Sequence, residues 1–185
     1  MSHFNSLDIP LRLVDFLLFI GKMRPVIKDD ALTYAPRIMD VVGSSAMNHL
    51  TNQTDVYLST FAELRKGELE KTAKELFGDE FDDLKKEKEE LEKDMLKESD
   101  EAMEARRVEL ITKLKEMSDA VEVEVAKGTV VKEAYNKPVK ITLSNNAWTW
   151  FAEVVHSFQI SSESNAYGMF SELGEVMELA TKFND

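Results

Sequence analysis

The sequence predicts a mainly α-helical protein: a helical body, a long charged coiled-coil arm and a small antiparallel β-meander. Residues 80–119 are dense in Glu, Lys, Asp and Arg and contain neither Gly nor Pro, which favours a long solvated helix. Apolar residues on both sides of this run recur every three or four positions, while those in 121–143 alternate with polar ones. We therefore divide the chain into an N-terminal part of the body (1–78), the arm (79–120) and a C-terminal part of the body (121–185).

Three helices are predicted in the N-terminal part of the body. The first residues are expected to be loosely structured, and Asp8 is expected to cap a helix over residues 8–23. That helix is apolar nearly all round, which is typical of a central core element or an oligomer interface. Two amphipathic helices follow at residues 36–50 and 55–77, separated by a turn at residues 52–54.

The arm carries one narrow apolar stripe. Its members are spaced mostly by three, four or seven residues: Phe81, Leu84, Leu91, Met95, Met103, Leu110, Leu114, Met117 and Val121. About two apolar residues per heptad is typical of a coiled-coil seam. Just before the arm, Gly78 is expected to end one helix and Asp79 to cap the next.

The seam is weak in its centre, and this leaves two interpretations. In one, a single unbroken helix pairs with another copy of the chain. In the other, the chain reverses near Ser99 and Asp100, and one of these residues caps the returning helix. The hairpin then sets Met95 against Met103, Leu84 against Leu114, and Phe81 against Met117. Leu91 would face Arg106 and Arg107, whose aliphatic stems can cover it.

The arm is also the predicted partner-binding surface. Because it is charged and exposed, we expect a partner to contact it near the reversal, through Leu91, Met95, Ser99, Asp100, Met103, Arg106 and Arg107. The expected partner is another protein, a further copy of the chain, or both.

Short strands and two helices are predicted in the C-terminal part of the body. The strands fall at 121–125, 129–131 and 139–143, and the helices at 146–158 and 166–183. A turn at Lys127–Gly128 separates the first two strands, and Ser144 or Asn145 caps the first helix. So small a sheet is marginal alone, and we expect it to pack on helices.

The composition excludes several classes of function. The formal net charge is −12 and the pI is near 4.8, which disfavours direct binding to nucleic acid or to anionic membranes. The chain contains no Cys, so it forms no disulfide or thiolate metal site. It shows no secretory signal and no apolar run long enough to span a bilayer, which indicates a cytoplasmic location.

One segment resembles a known family. Residues 171–178 read Ser-Glu-Leu-Gly-Glu-Val-Met-Glu and resemble the first metal-binding helix of the all-α nucleotide pyrophosphohydrolases of the MazG and dimeric dUTPase type. The resemblance implies that Glu172 and Glu175 bind Mg²⁺, with further acidic ligands supplied by an earlier segment or another subunit. The alternative is a solvated acidic helix face, and on this interpretation the protein holds no metal or cofactor. Glu153 and His156 form a single Glu-x-x-His pair, whereas di-iron bundles use two.

These observations favour a non-enzymatic regulatory protein that binds a protein partner through an acidic helical surface. One form of this hypothesis is a virus-encoded inhibitor of a host enzyme. A self-assembling scaffold protein is the first alternative, and a Mg²⁺-dependent enzyme like the nucleotide pyrophosphohydrolases is the second. The sequence contains no P-loop, dinucleotide-binding or nucleophile-elbow motif, and we predict no catalytic residue.

Overall fold

The computed structural model describes residues 3–22, 36–97, 100–157 and 166–182. Within these ranges the protein is mainly α-helical, as predicted. The elements in chain order are β1 (Phe4–Pro10), α1 (Leu11–Lys22), α2 (Pro36–Phe77), α3 (Glu80–Met95), α4 (Glu101–Lys127), α5 (Val130–Asn136), β2 (Pro138–Ser144), α6 (Asn145–Ser157) and α7 (Ala166–Thr181). The chain divides into two compact units, which we call the body (Met1–Thr60 and Ala134–Asp185) and the hairpin unit (Phe61–Glu133).

The sheet of the body joins the first strand to one that lies more than 120 residues later. β1 and β2 pair antiparallel, with Ile9 opposite Val139 and Leu7 opposite Ile141. The predicted loose start and the predicted cap at Asp8 are therefore wrong, because Asp8 lies within β1, opposite Lys140. Local sequence could not show this pairing, since the partner strand is so distant along the chain.

The core of the body lies between α1, α6, α7 and the sheet. Six of the twelve α1 residues are buried, as expected for a helix that is apolar nearly all round. Trp148 and Phe151 of α6 are fully buried, and so are Leu173 and Met177 of α7. The Trp148 indole N–H donates to the Asn5 carbonyl oxygen at 3.1 Å, which ties α6 to β1.

The long helix α2 is continuous through residues 52–54, where a turn was predicted. The Thr54 hydroxyl donates to the Leu50 carbonyl oxygen at 2.8 Å. The Gln53 amide donates to the Thr142 carbonyl oxygen at 2.6 Å and accepts from the Thr142 N–H at 2.7 Å. The prediction was wrong because these turn-forming side chains find partners inside the fold and leave the helix backbone intact.

Of the two arrangements considered for the arm, the structure has the hairpin. α3 and α4 run antiparallel, and the Asp100 carboxylate accepts from the Met103 N–H at 2.8 Å to cap α4. Ion pairs join Glu80 to Lys113 at 2.6 Å and Glu87 to Arg106 at 2.7 Å. The buried cluster of the unit consists of Ala73, Phe81, Leu84, Leu110, Met117 and Val121, with Leu91 and Leu114 packed against it.

The hairpin unit begins before the arm that was predicted, because the second half of α2 belongs to it. Gly78 ends α2 with a φ of 60°, and its N–H donates to the Lys74 carbonyl oxygen at 3.0 Å. This is the predicted C′ glycine in its left-handed conformation. Asp79 occupies the N-cap position of α3, as predicted, and its carbonyl oxygen accepts from the Asp83 N–H at 3.0 Å, but its side chain makes no capping hydrogen bond.

The strands predicted at residues 121–125 and 129–131 are also wrong. The first segment continues α4, and the second lies largely in α5. Val121 and Val125 are one helical turn apart, so both pack into the seam, whereas Val123 is 58% exposed. Alternating valines fit either period, and the buried seam selects the helix.

Candidate functional site

The predicted partner-binding residues lie around the end of α3 and the start of α4. We call residues 91–97 and 100–107 the distal segment. Leu91, Met95 and Met103 are half-buried there, so α3 and α4 cover only part of each side chain. Asp100 is exposed and occupied as the cap of α4. Ser99 lies outside the described residues.

One residue of the distal segment that the sequence analysis did not single out is Leu96. It follows the last residue of α3 and is 87% exposed, the largest value among the exposed large apolar side chains of the described residues. Because it directly follows Met95, it does not share the helix face of the seam. This position was the sequence feature that could have identified it. A side chain that is 87% exposed contributes little to the packing of the hairpin.

Arg106 bridges two carboxylates within the distal segment. Its guanidinium donates to Glu109 at 2.8 Å and to Glu87 at 2.7 and 2.8 Å. The hydrogen bonds that Arg106 donates to Glu109 and Glu87 raise its pKa above the ordinary value. Arg106 therefore links α3 to α4 and is not a free cation for an acidic ligand.

Arg107 is also held by two carboxylates, one from each helix of the hairpin. It lies 3.0 Å from Glu104 and 3.5 Å from Glu92. The hydrogen bond from Lys88 is the largest cause of the lowered pKa of Glu92, and Arg107 contributes to it. Both arginines are therefore engaged by carboxylates, and the distal segment as a whole carries five acidic and four basic residues.

A groove of about 500 Å³ lies within the hairpin unit at the bend between α2 and α3. Ala73, Phe81 and Val121 are its buried lining, and exposed lysines stand at its edge. The Lys85 ammonium lies 4.1 Å from the centre of the Phe81 ring, a cation–π distance. Such a groove can receive an apolar side chain, but it presents no catalytic arrangement of polar groups.

A second cleft, of about 470 Å³, lies within the body. The Tyr135 hydroxyl donates to the Asp15 carboxylate there at 2.7 Å. Burial, and then this hydrogen bond, raise the pKa of Tyr135 well above its ordinary value. Tyr135 is therefore a protonated donor at neutral pH, and it does not supply a base.

The two glutamates of the pyrophosphohydrolase-like segment lie on α7 in different surroundings. Glu172 forms an ion pair with Arg12 of α1, whereas Glu175 is exposed. His156 and Glu153 are both exposed on α6. Within the described ranges, no three His, Cys, Asp or Glu side chains are grouped so that they could hold a metal ion.

Comparison of the chain with families of proteins, with curated proteins and with solved structures finds no match. In the part of the chain that the structure describes, no helix is both long enough and apolar enough to cross a membrane. The function is therefore argued from the residues and their geometry.

Proposed function

We propose that this is a non-enzymatic protein that binds a protein partner through the distal segment of its hairpin unit. The observation that carries the proposal is Leu96, which is 87% exposed beside the half-buried Leu91, Met95 and Met103. We call these four side chains, one exposed and three half-buried, the apolar patch of the distal segment. Apolar anchors surrounded by charge are typical of helical recognition surfaces.

The charge of the hairpin unit indicates what kind of partner fits. Residues 61–133 contain 23 of the 35 acidic and 15 of the 23 basic residues of the chain. Many of the basic groups are engaged, as the arginines of the distal segment are by Glu87, Glu92 and Glu109. A partner with an apolar pocket and a basic rim would complement this surface.

The hairpin also holds the patch in a defined position. Asp100 caps α4, and the ion pair between Glu87 and Arg106 joins the two helices beside the patch. A surface ordered before binding loses less conformational entropy when the partner docks. The alternative hydrolase function gains no such support, because the carboxylate of Glu172 is already paired with Arg12.

The test compares three proteins in pull-downs from lysate of the source cell: wild type, Leu96→Ser and Val56→Ser. Val56 is the matched control, because it is a 69% exposed apolar residue of α2 in the body. We expect wild type and Val56→Ser to retain one protein in stoichiometric amount, and Leu96→Ser to lose it.

The retained protein is then purified, and its affinity for each variant is measured by calorimetry. Truncation of a binding hot spot weakens binding roughly tenfold or more, so that loss is expected for Leu96→Ser alone. Equal binding by wild type and Leu96→Ser would overturn the proposal. An equal loss in Val56→Ser would show that the loss is not specific to the distal segment, and the proposal would fail.

A further inference from the structure

The outward face of α4 has a pattern that the hairpin does not explain. Eight exposed residues lie along one stripe with steps of mostly three and four: Ala105, Val108, Thr112, Lys115, Glu116, Asp119, Val123 and Ala126. Val108 is 54% exposed and Val123 is 58% exposed. Valine is a weak helix former because its χ1 angle is restricted. Helix propensity therefore does not explain two exposed valines on one stripe, and the stripe is a candidate surface for packing against another molecule.

The positions of the stripe are symmetric about a point between Lys115 and Glu116, because the steps on one side repeat those on the other. Stepping outward from that point, the pattern pairs Thr112 with Asp119, Val108 with Val123, and Ala105 with Ala126. In an antiparallel helix pair related by a two-fold axis at this point, each of these residues faces its counterpart in the other copy. At the apolar positions an apolar side chain faces another apolar one. At the polar positions a cation faces an anion and a hydroxyl faces a carboxylate.

The polar pairs fit this arrangement chemically. The Lys115 ammonium of one copy would meet the Glu116 carboxylate of the other, and the symmetry repeats the pair. The Thr112 hydroxyl is a donor, and the Asp119 carboxylate is an acceptor. Neither Lys115, Glu116 nor Asp119 forms an ion pair with another described residue, so these charges are free to pair between copies.

The apolar pairs fit as well. Val108 would pack against Val123, and Ala105 against Ala126, where the small side chains permit close approach of the two helices.

We propose that two copies of the chain form an antiparallel dimer through this face of α4. A foreign basic helix is less suitable, because Lys115 at the centre of the stripe would repel it, whereas a second copy supplies Glu116 there. The inference goes beyond the proposed partner binding and does not depend on it, since the stripe and the apolar patch of the distal segment use different residues.

The dimer has a consequence for the distal segments. α4 contains 27 residues, and at 1.5 Å per residue its length is about 40 Å. Antiparallel pairing puts the amino-terminal ends of the two α4 helices, and the distal segments beside them, at opposite ends of the contact. The dimer would then present two equivalent binding surfaces, and a partner with repeated sites would gain avidity.

The first test is sedimentation velocity of the purified full chain from about 1 to about 300 µM. We expect a monomer–dimer equilibrium for wild type. Lys115→Glu and Glu116→Lys should each raise the dissociation constant roughly tenfold or more, because like charges then face each other twice. The double variant Lys115→Glu/Glu116→Lys should restore it. Lys86→Glu on α3 makes the same charge change at an exposed residue and should leave it unchanged.

The second test fixes the register and uses the absence of Cys from the chain. Val108→Cys and Val123→Cys are prepared separately and then oxidised alone and as a mixture. Only the mixture should give a disulfide-linked dimer in high yield, because in either variant alone the two introduced thiols lie about 22 Å apart, at 15 residues of 1.5 Å each.

Each outcome bears on the proposal once ellipticity at 222 nm shows that the variants are folded. A monomer at every concentration overturns it, and so does a dimer that is indifferent to Lys115→Glu. Failure of the double variant to restore association rejects the pairing of Lys115 with Glu116. Equal cross-linking of the single variants alone rejects the antiparallel register. None of these results depends on the lysate partner, so the two proposals can fail separately.

Discussion

The body and the hairpin unit bury their apolar side chains in different ways. Of the 28 buried apolar residues within the described ranges, 22 belong to the body and six to the hairpin unit. The body packs helices and a sheet around large aromatic side chains. The hairpin unit packs α3, α4 and the second half of α2 around one narrow seam, and exposed ion pairs join α3 to α4.

Because of this difference, the hairpin unit has more helix surface that its own packing does not use, and such surface is available for binding. Within the described ranges each unit exposes six large apolar side chains, although the hairpin unit buries far fewer than the body. In the hairpin unit a narrow seam uses only one side of each helix, so the rest of the surface is left to other requirements. Leu96, Val108 and Val123 are exposed there without a role in the seam. These residues are the ones that the two proposals use.

The largest effect expected from this contrast is on core substitutions. Phe151→Ala removes a fully buried ring whose centre lies 4.8 Å from that of Trp150, and it should lower the free energy of unfolding by about 3–5 kcal/mol. Leu110→Ala in the seam should cost about 2 kcal/mol, at the low end of the range for buried leucine, because a narrow seam can close around the gap.

Urea unfolding followed by two signals measures both variants. Both tryptophans lie in the body, so tryptophan emission reports the body, while ellipticity at 222 nm reports all helices. We expect Phe151→Ala to move the emission midpoint strongly and Leu110→Ala to move it little. A shift of the emission midpoint for Leu110→Ala in proportion to its loss of stability would show that the units unfold as one cooperative structure, and the contrast would then concern packing only.

The next effect uses two glycines of α2, one in each unit. Replacing a helical glycine by alanine normally stabilises a helix by up to about 1 kcal/mol. Gly67 has no atom within 4 Å of its added Cβ, so Gly67→Ala should gain about 0.5–1 kcal/mol. At Gly43 the Cβ would lie 2.5 Å from the ring of the buried Trp150, so Gly43→Ala should cost about 1–3 kcal/mol.

Thermal unfolding distinguishes the signs. For a chain of this size, 1 kcal/mol shifts the midpoint by roughly 2–4 °C, so the two variants should move in opposite directions from wild type. A rise in the midpoint for Gly43→Ala would mean that Trp150 can move aside, and the body would then be less tightly packed than the geometry indicates.

The outcome for the sequence predictions follows the same division. The helical seam of the hairpin unit and the end of α2 at Gly78 could be predicted because their information is local, whereas the sequence left the reversal open against one unbroken helix. The sheet could not, since β1 and β2 pair across more than 120 residues. The turn expected at residues 52–54 was wrong because Gln53 bonds to Thr142, a partner that exists only after folding.

The candidate site was predicted in part for a similar reason. Periodicity located the stripe that contains Leu91, Met95 and Met103, because residues at helical spacing share a face. Leu96 is adjacent to that stripe in the chain, and its exposure depends on where α3 ends, which sequence patterns define poorly. Whether these residues bind a partner remains a prediction that the Leu96→Ser comparison tests.

The smallest expected effect concerns the ion pairs between helices. A double-mutant cycle of Glu80→Gln and Lys113→Gln should give a coupling free energy of about 0.2–1 kcal/mol, as is usual for exposed pairs. Both side chains are about half exposed, at 54% and 50%, so the coupling should diminish as NaCl rises to about 1 M.

The comparison pair in the body is Arg12 with Glu172, whose side chains are 26% and 38% exposed. Because this pair is less hydrated, a cycle of Arg12→Gln and Glu172→Gln should give a larger coupling that changes less with salt. If instead the coupling free energy of Glu80 with Lys113 were the larger, the ion pairs and not the seam would hold α3 against α4. Leu110→Ala should then change the free energy of unfolding very little.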